Sequence, residues 1–332
     1  MSKKALRRSI LGLLAFSLII RLASSGGTAS RALTSLSSSE LVARAATGYY
    51  GPLETAQPTD ETPEYEYPPE SAPPPSPTPA AKRPAMILKG TGAPKAKSPA
   101  ATSVEVLNKT SFEPDIPALL KEGPDFSLAP EGPQILIIHT HGSEAFSGSE
   151  GSRSTDPSLG VVRVGDVLAG ELAARGFSVI HDRTMYDSPT YSGSYGRSLE
   201  AVERELEKYP ELTVVIDLHR DSVTLPDGTK WRSEYGEGSS QVMLIATNGE
   251  NGLEHPNWLE NFKFALRLQA SMEEKYPGLA RPLCLSGERY NQHAAPGCLI
   301  LEVGTDGNTL GEAELAVRRF ADAAADVLDG MR

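Results

Sequence analysis

Half of the 26 prolines in this 332-residue chain fall between positions 51 and 100. Proline removes a backbone donor and fixes φ, so a stretch this dense cannot form a helix interior or a central strand. Residues 71–80 mix Pro with Ser, Thr and Ala and carry no large apolar side chain. Such a segment cannot bury enough surface to offset chain entropy. Residues 24–103 therefore read as a disordered, semi-extended linker. That leaves roughly 200 residues for folding, the size of one ordinary domain, assigned here to residues 104–332. Residues 104–133 read as transitional sequence packed on the domain edge.

The N-terminus has a different character. Lys3, Lys4, Arg7 and Arg8 precede an apolar run over residues 10–20, closed by Arg21. Basic residues followed by such a run mark an export signal. The run is shorter than the ~20 apolar residues of a full span, but Arg21 can snorkel and extend its usable length to about Ala23. Thr28, Ala29 and Ser30 form only a weak cleavage box, so residues 1–23 read as an uncleaved signal anchor. A domain carried on the linker would then stand outside the cytoplasm, tethered to the cell membrane.

The formal net charge is −11, with no polybasic block after the first eight residues. A nucleic-acid partner is therefore not expected. The two cysteines, Cys284 and Cys298, are too few for a disulfide framework and do not match a cysteine-based zinc spacing. They read as buried thiols.

In the folded part, short apolar runs alternate with amphipathic stretches. Strands are predicted over residues 135–138, 177–180, 212–218, 241–246 and 298–303. Helices are predicted over 161–175, 197–209 and 258–276, the first stopped by Gly176. A last helix opens at Thr309, where Thr309 and Glu312 form a T-x-x-E capping box. Its apolar stripe runs through Leu310, Ala313, Val317, Phe320, Ala324 and Val327. The alternation predicts an α/β fold, with a mixed, mostly parallel sheet covered by helices on both faces.

Ligands of such sheets bind at the carboxyl ends of the strands. Three of the apolar runs lead there into titratable residues: His139, His141 and Glu144; Asp217, His219, Arg220 and Asp221; and Glu302. Catalytic zinc takes three protein ligands plus water, and a His, Glu, His set is one common version. His141 and Glu144, three apart in a turn, could share an ion with His219. Glu302, an acid closing an apolar strand, would take a proton from the water and pass it to a leaving amine. His139 and His141 share a face under strand periodicity, so either could be the ligand. His141 is chosen because it stands beside Glu144, which leaves His139 to orient a ligand. Arg220 is a candidate for stabilising an oxyanion, or else for an ion pair with Asp217 or Asp221. Three tyrosines between positions 186 and 195 suit sugar or peptide contacts as well as a plain surface loop. No P-loop, dinucleotide-binding glycine pattern or G-x-S-x-G elbow is present.

The motifs Ile138-His139-Thr140-His141-Gly142-Ser143-Glu144, Asp217-Leu218-His219-Arg220-Asp221, Tyr290-Asn291-Gln292, Leu301-Glu302-Val303-Gly304 and Asn308-Thr309 resemble the stage II sporulation protein P family, in that family's order. The resemblance spans about residues 133–328. It implies a fold like that of the zinc N-acetylmuramoyl-L-alanine amidases (phosphorylase/hydrolase-like). It also implies cleavage of peptidoglycan between muramic acid and the first alanine of the stem peptide, during engulfment of the forespore. The ligands it implies are His141, Glu144 and His219, with Glu302 as catalytic carboxylate. Stage II sporulation protein D, a lytic transglycosylase, and stage II sporulation protein M, a membrane protein, are the implied partners. The sequence departs from the family pattern at Gly142, Ser143 and His293, positions that bear on substrate contacts. A zinc peptidase cutting within stem peptides and a non-catalytic wall-binding scaffold are the alternative readings.

Overall fold

Apolar runs too short for helices and flanked by turn residues pair here into an eight-stranded sheet with the order β1-β4-β3-β5-β8-β6-β7-β2. In chain order the elements of the computed structural model are β1 (Met86–Leu88), β2 (Val106–Asn108), α1 (Ile116–Glu122), β3 (Ile135–Ile138), α2 (Val161–Ala174), β4 (Val179–His181) and α3 (Ser194–Lys208). Then follow β5 (Val214–Asp221), β6 (Val242–Thr247), α4 (Trp258–Lys275), β7 (Leu283–Ser286), β8 (Cys298–Thr305) and α5 (Leu310–Asp329). The structure describes residues 86–88, 104–149 and 151–332, all within one compact unit, 74–332. The expected anchor, and the expected linker apart from β1, lie outside the described residues. Among the described residues no helix is long and apolar enough to cross a membrane.

β4, β3, β5 and β8 run parallel; β6 lies antiparallel to β8, and β7 and β2 continue parallel to β6. The sheet is thus mixed and mostly parallel, as expected, with a correction at one edge. β1 falls inside the stretch assigned to the linker and pairs antiparallel with β4. Residues 104–133, expected to pack on the domain edge, supply α1 and the opposite edge strand, β2.

Alternation sorts the core onto two faces. Ile135, Ile137, Val214, Ile216, Leu218, Leu299, Leu301 and Val303 pack under α2, α4 and α5. Leu136, Ile138, Val215 and Cys298 pack instead with Ala201 and Val202 of α3. The second cover is narrow. On β6, Met243 and Ile245 stay partly exposed beside it, so the sheet is not fully covered there. By the same alternation Asp217, His219 and Glu302 belong to this thinly covered face. The capping box of α5 forms as expected: Thr309 Oγ1 accepts from Glu312 N–H at 3.4 Å, and the Glu312 carboxylate accepts from Thr309 N–H at 2.8 Å. Cys284 and Cys298 are both buried and free.

Candidate active site

β5 and β8 run past the points where their apolar residues stop. β5 continues to Asp221 and β8 to Thr305, so His219 and Glu302 lie within strands and face each other in register. A register shift between His219 and Asp221 then breaks the pairing, the kind of irregularity that re-aims side chains beside a site.

His219 is buried between two carboxylates. Its Nε2 makes an ion-pair contact of 2.9 Å with Asp217 Oδ1, and its Nδ1 stands 3.5 Å from Glu144 Oε2. Burial opposes charge on this imidazole, but Asp217 and Glu144 together raise its pKa well above the ordinary value. Asp217 is fixed in turn: Thr140 N–H donates to Oδ1 at 2.8 Å and Thr140 Oγ1–H to Oδ2 at 2.6 Å. Glu144 reaches the site because its N–H closes a turn onto His141 C=O at 3.0 Å. Its Oε2 accepts the Arg220 backbone N–H at 3.0 Å. Burial works to raise the Glu144 carboxyl, yet His219, Arg220 and His141 hold it below its usual range.

The His141 ring lies edge-on to His219, with centroids 5.2 Å apart. Its Nδ1 faces Ser194 Oγ, the first residue of α3, at 3.4 Å. Burial and then His219 push the His141 imidazole down to about 4. The turn that carries it is tight. A Cβ on Gly142 would stand 2.9 Å from the Met185 backbone, so a larger residue there would force the turn to shift.

His139 does not share a face with His141, contrary to strand periodicity, because β3 ends at Ile138 and the chain turns. His139 lies under α2. Its Nδ1 contacts Leu218 C=O and its Nε2 contacts His181 Nε2, both at 2.9 Å. Burial, reinforced by His181, pushes it down to about 3. His139 is then neutral, and because a carbonyl only accepts, its Nδ1 carries the hydrogen and its Nε2 accepts from His181. Gly165 of α2 makes room for the pair: a Cβ there would sit 2.5 Å from His181 Nε2 and 2.6 Å from His139 Nε2. Nothing in the sequence joined His181 to His139.

Arg220 is turned away from the carboxylates of Asp217 and Asp221. Its Nε, Nη2 and Nη1 donate to the carbonyls of Ala145 (3.0 Å), Ser152 (2.6 Å) and Asp221 (3.3 Å). The guanidinium fastens the loop that carries Glu144. Asp221 pairs instead with Arg281, at 2.8 Å. Glu302 is half-buried, and its Oε2 is buried without a hydrogen-bond partner among the described residues. Burial and the Asp221 carboxylate push Glu302 up to about 8, against the pull of His219.

Two donors on one tetrahedral zinc, each at ~2.0–2.1 Å, stand about 3.4 Å apart. The separation of His219 Nδ1 and Glu144 Oε2 fits that spacing. Asp217 behind His219 is the carboxylate support that metal-binding histidines use. Among the described residues no group of three His, Cys, Asp or Glu side chains is gathered closely enough to hold an ion as it stands. Two donors stand at ligand spacing, with the His141 ring beside them. The donor chemistry and the orphaned Glu302 oxygen suit a hydrolytic metal site.

Residues 49–325 match the stage II sporulation protein P (SpoIIP) family. Stage II sporulation protein P of Bacillus subtilis (strain 168) is 31% identical over 214 residues, covering 59% of this chain and 50% of the relative. The chain thus spans about half the length of that relative. Among solved structures, the CwlD amidase of Clostridioides difficile in complex with the GerS lipoprotein is 11% identical, covering 60% of this chain and 98% of its own, with a TM-score of 0.38. An N-acetylmuramoyl-L-alanine amidase from Clostridium difficile 630 is likewise 11% identical, covering 60% and 96%, with a TM-score of 0.36.

Proposed function

Because the chain belongs to the stage II sporulation protein P family, we propose that it hydrolyses peptidoglycan during sporulation, as a zinc-dependent N-acetylmuramoyl-L-alanine amidase. The observation that carries the reading is the pairing of Glu302 and His219 on adjacent strands. An acid oxygen without a hydrogen-bond partner stands opposite an imidazole braced by Asp217 and Glu144.

His141, Glu144 and His219 would hold the zinc, which when bound polarises a carbonyl and brings a water's pKa toward ~7. Asp217 fixes the His219 ring so that Nδ1 faces Glu144. The Arg220 N–H holds the Glu144 carboxylate, and the Arg220 side chain holds its loop. In its ionised form Glu302 takes a proton from the attacking water and delivers it to the amide nitrogen. The C–N bond breaks, the carboxyl stays on muramic acid, and the stem peptide leaves with a free amino group on its first alanine. The N-terminal anchor would tether this activity outside the cytoplasmic membrane, and stage II sporulation proteins D and M are the partners that family membership suggests.

The test joins metal analysis of the purified protein to mass spectrometry of digested peptidoglycan. Bound zinc and free stem peptides beginning with alanine are expected. Shortened stems still attached to muramic acid would replace the amidase by a peptidase. Absence of any cleavage by metal-loaded protein would leave a scaffold.

A further inference from the structure

Tyr191 is unusual among the large apolar side chains in being 36% exposed. Its ring is nevertheless held in a stack. It lies on His141 with centroids 4.4 Å apart and planes 12° from parallel, and the Arg153 guanidinium carbon lies 4.5 Å from the centroid of the same ring. His141 occupies one face, so Arg153 takes the other. The result is three layers, imidazole, phenol and guanidinium, running outward from the candidate site.

Arg153 is anchored through one nitrogen. Its Nη1 donates to Asp187 Oδ2 at 2.7 Å and to Ser143 Oγ at 3.0 Å. The Asp187 side chain is fully buried, while that of Arg153 is 44% exposed. Ser143 also holds Asp187, donating its N–H to Oδ1 at 3.1 Å and its hydroxyl to Oδ2 at 2.5 Å. Nε and Nη2 of Arg153 make no hydrogen bond among the described residues. Arg153 is therefore a cation fixed from below, with an N–H edge turned to solvent. His141 also meets Tyr195 edge-on at 5.4 Å, and Tyr290 lies 5.5 Å from Tyr195. The aromatic cluster around His141 thus ends, through Tyr191, in a charge.

We infer that Arg153, carried on Tyr191, is a specificity residue that binds a carboxylate of an acidic peptide on the leaving side of the scissile amide. The inference rests on the amidase reading above. Two stacked layers, 4.4 and 4.5 Å deep, match the reach of two to three extended residues at ~3.3–3.6 Å each. The second stem residue of peptidoglycan, a D-glutamate joined onward through its side chain, leaves a free carboxylate at that distance. A guanidinium offers such a group a planar pair of N–H donors, which an ammonium does not.

The experiment compares kcat/KM on two synthetic muropeptides that differ only at the second residue, free carboxylate against carboxamide. The zinc-loaded wild type is expected to favour the acid by roughly tenfold or more, mostly through KM. Arg153→Gln should lose that preference, its kcat/KM falling further on the acid than on the amide, and Arg153→Lys should keep part of it. The pair Arg153→Gln with Asp187→Asn, which leaves no buried charge unpaired, should behave like the single variant. Retained preference in Arg153→Gln, or an equal loss on both substrates, overturns the assignment. If wild type cleaves neither substrate, the amidase reading has failed, and calorimetry with L-alanyl-D-glutamate decides separately. Binding by wild type but not by Arg153→Gln upholds the carboxylate site; no binding by wild type removes it.

Discussion

In the proposed reaction, Glu302 is the residue on which the chemistry turns. A carboxyl oxygen kept from water without a partner is costly, and only a task repays that cost. Glu302→Gln keeps the shape and removes the proton acceptor. It is expected to lower kcat by about 10²- to 10⁴-fold, with KM and metal content close to wild type. Turnover within tenfold of wild type on purified muropeptides would exclude Glu302 from proton transfer. Asp217 acts one step back, through His219. Asp217→Asn leaves the fold's hydrogen bonds to Thr140 partly intact and withdraws the charge behind the ring. Zinc affinity should fall roughly 10- to 100-fold, measured by competition with a chelator of known strength, and unchanged affinity would show that Asp217 is no support for a ligand. His141, Glu144, His219 and Glu302 could each be picked as candidates from residue type and place in the chain, and the structure brings His141 and Glu144 beside His219 and sets Glu302 in register with it. Asp217 could have been added, since an acid two positions before a strand histidine shares its face. The stack of Arg153 on Tyr191 could not, because they lie 38 positions apart in the chain with a helix between them.

Elements were legible where periodicity was long. Each of the longer predicted helices forms, and α5 begins at the capping box expected of it. Strand ends were misjudged for a physical reason. The apolar run stops, but in β5 Asp217, His219 and Asp221 continue the alternation on the thinly covered face. A reading that equates strand with apolar run therefore cuts the element short just where the candidate site residues lie. β7 and β2, of 4 and 3 residues, are too short to show any period at all. The helical face has its own polar clamp. Asp322 of α5 accepts from Lys275 at 3.0 Å and from Tyr276 at 2.9 Å, both from α4 and its end, and pairs with Arg175 beyond α2 at 3.3 Å. Burial works to raise this carboxyl, but Lys275, Tyr276 and Arg175 hold it below its usual range. A depressed folded-state pKa gives stability that is present above the unfolded value of ~3.9 and lost as pH falls through the folded one. Asp322→Asn should therefore melt below wild type at neutral pH, and the gap should close as pH falls below about 4. A gap that persists at the acid end would mean the substitution acts through packing instead of charge.

At the scale of the whole molecule, the site is set in from both edges of the sheet. β3, β5 and β8 are central, and β4 and β1 stand between them and one edge. β1 pairs Met86, Ile87 and Leu88 with His181, Ile180 and Val179, although it was read as linker because proline-rich sequence surrounds it. Without β1, β4 would present unpaired backbone groups at the edge, beneath Ile180 and Val179, which are buried. An open edge of that kind invites pairing with another chain. A chain beginning at residue 104 should therefore melt at a lower temperature than one beginning at residue 74. It should also associate more with rising concentration, as read by light scattering. Its turnover per folded molecule should match the longer chain, because two strands still separate the new edge from His219. If the two chains melt and scatter alike, β1 contributes nothing to the domain and its boundary belongs at residue 104. If the shorter chain is stable but inactive, the edge reaches the site by a route that the sheet order does not provide.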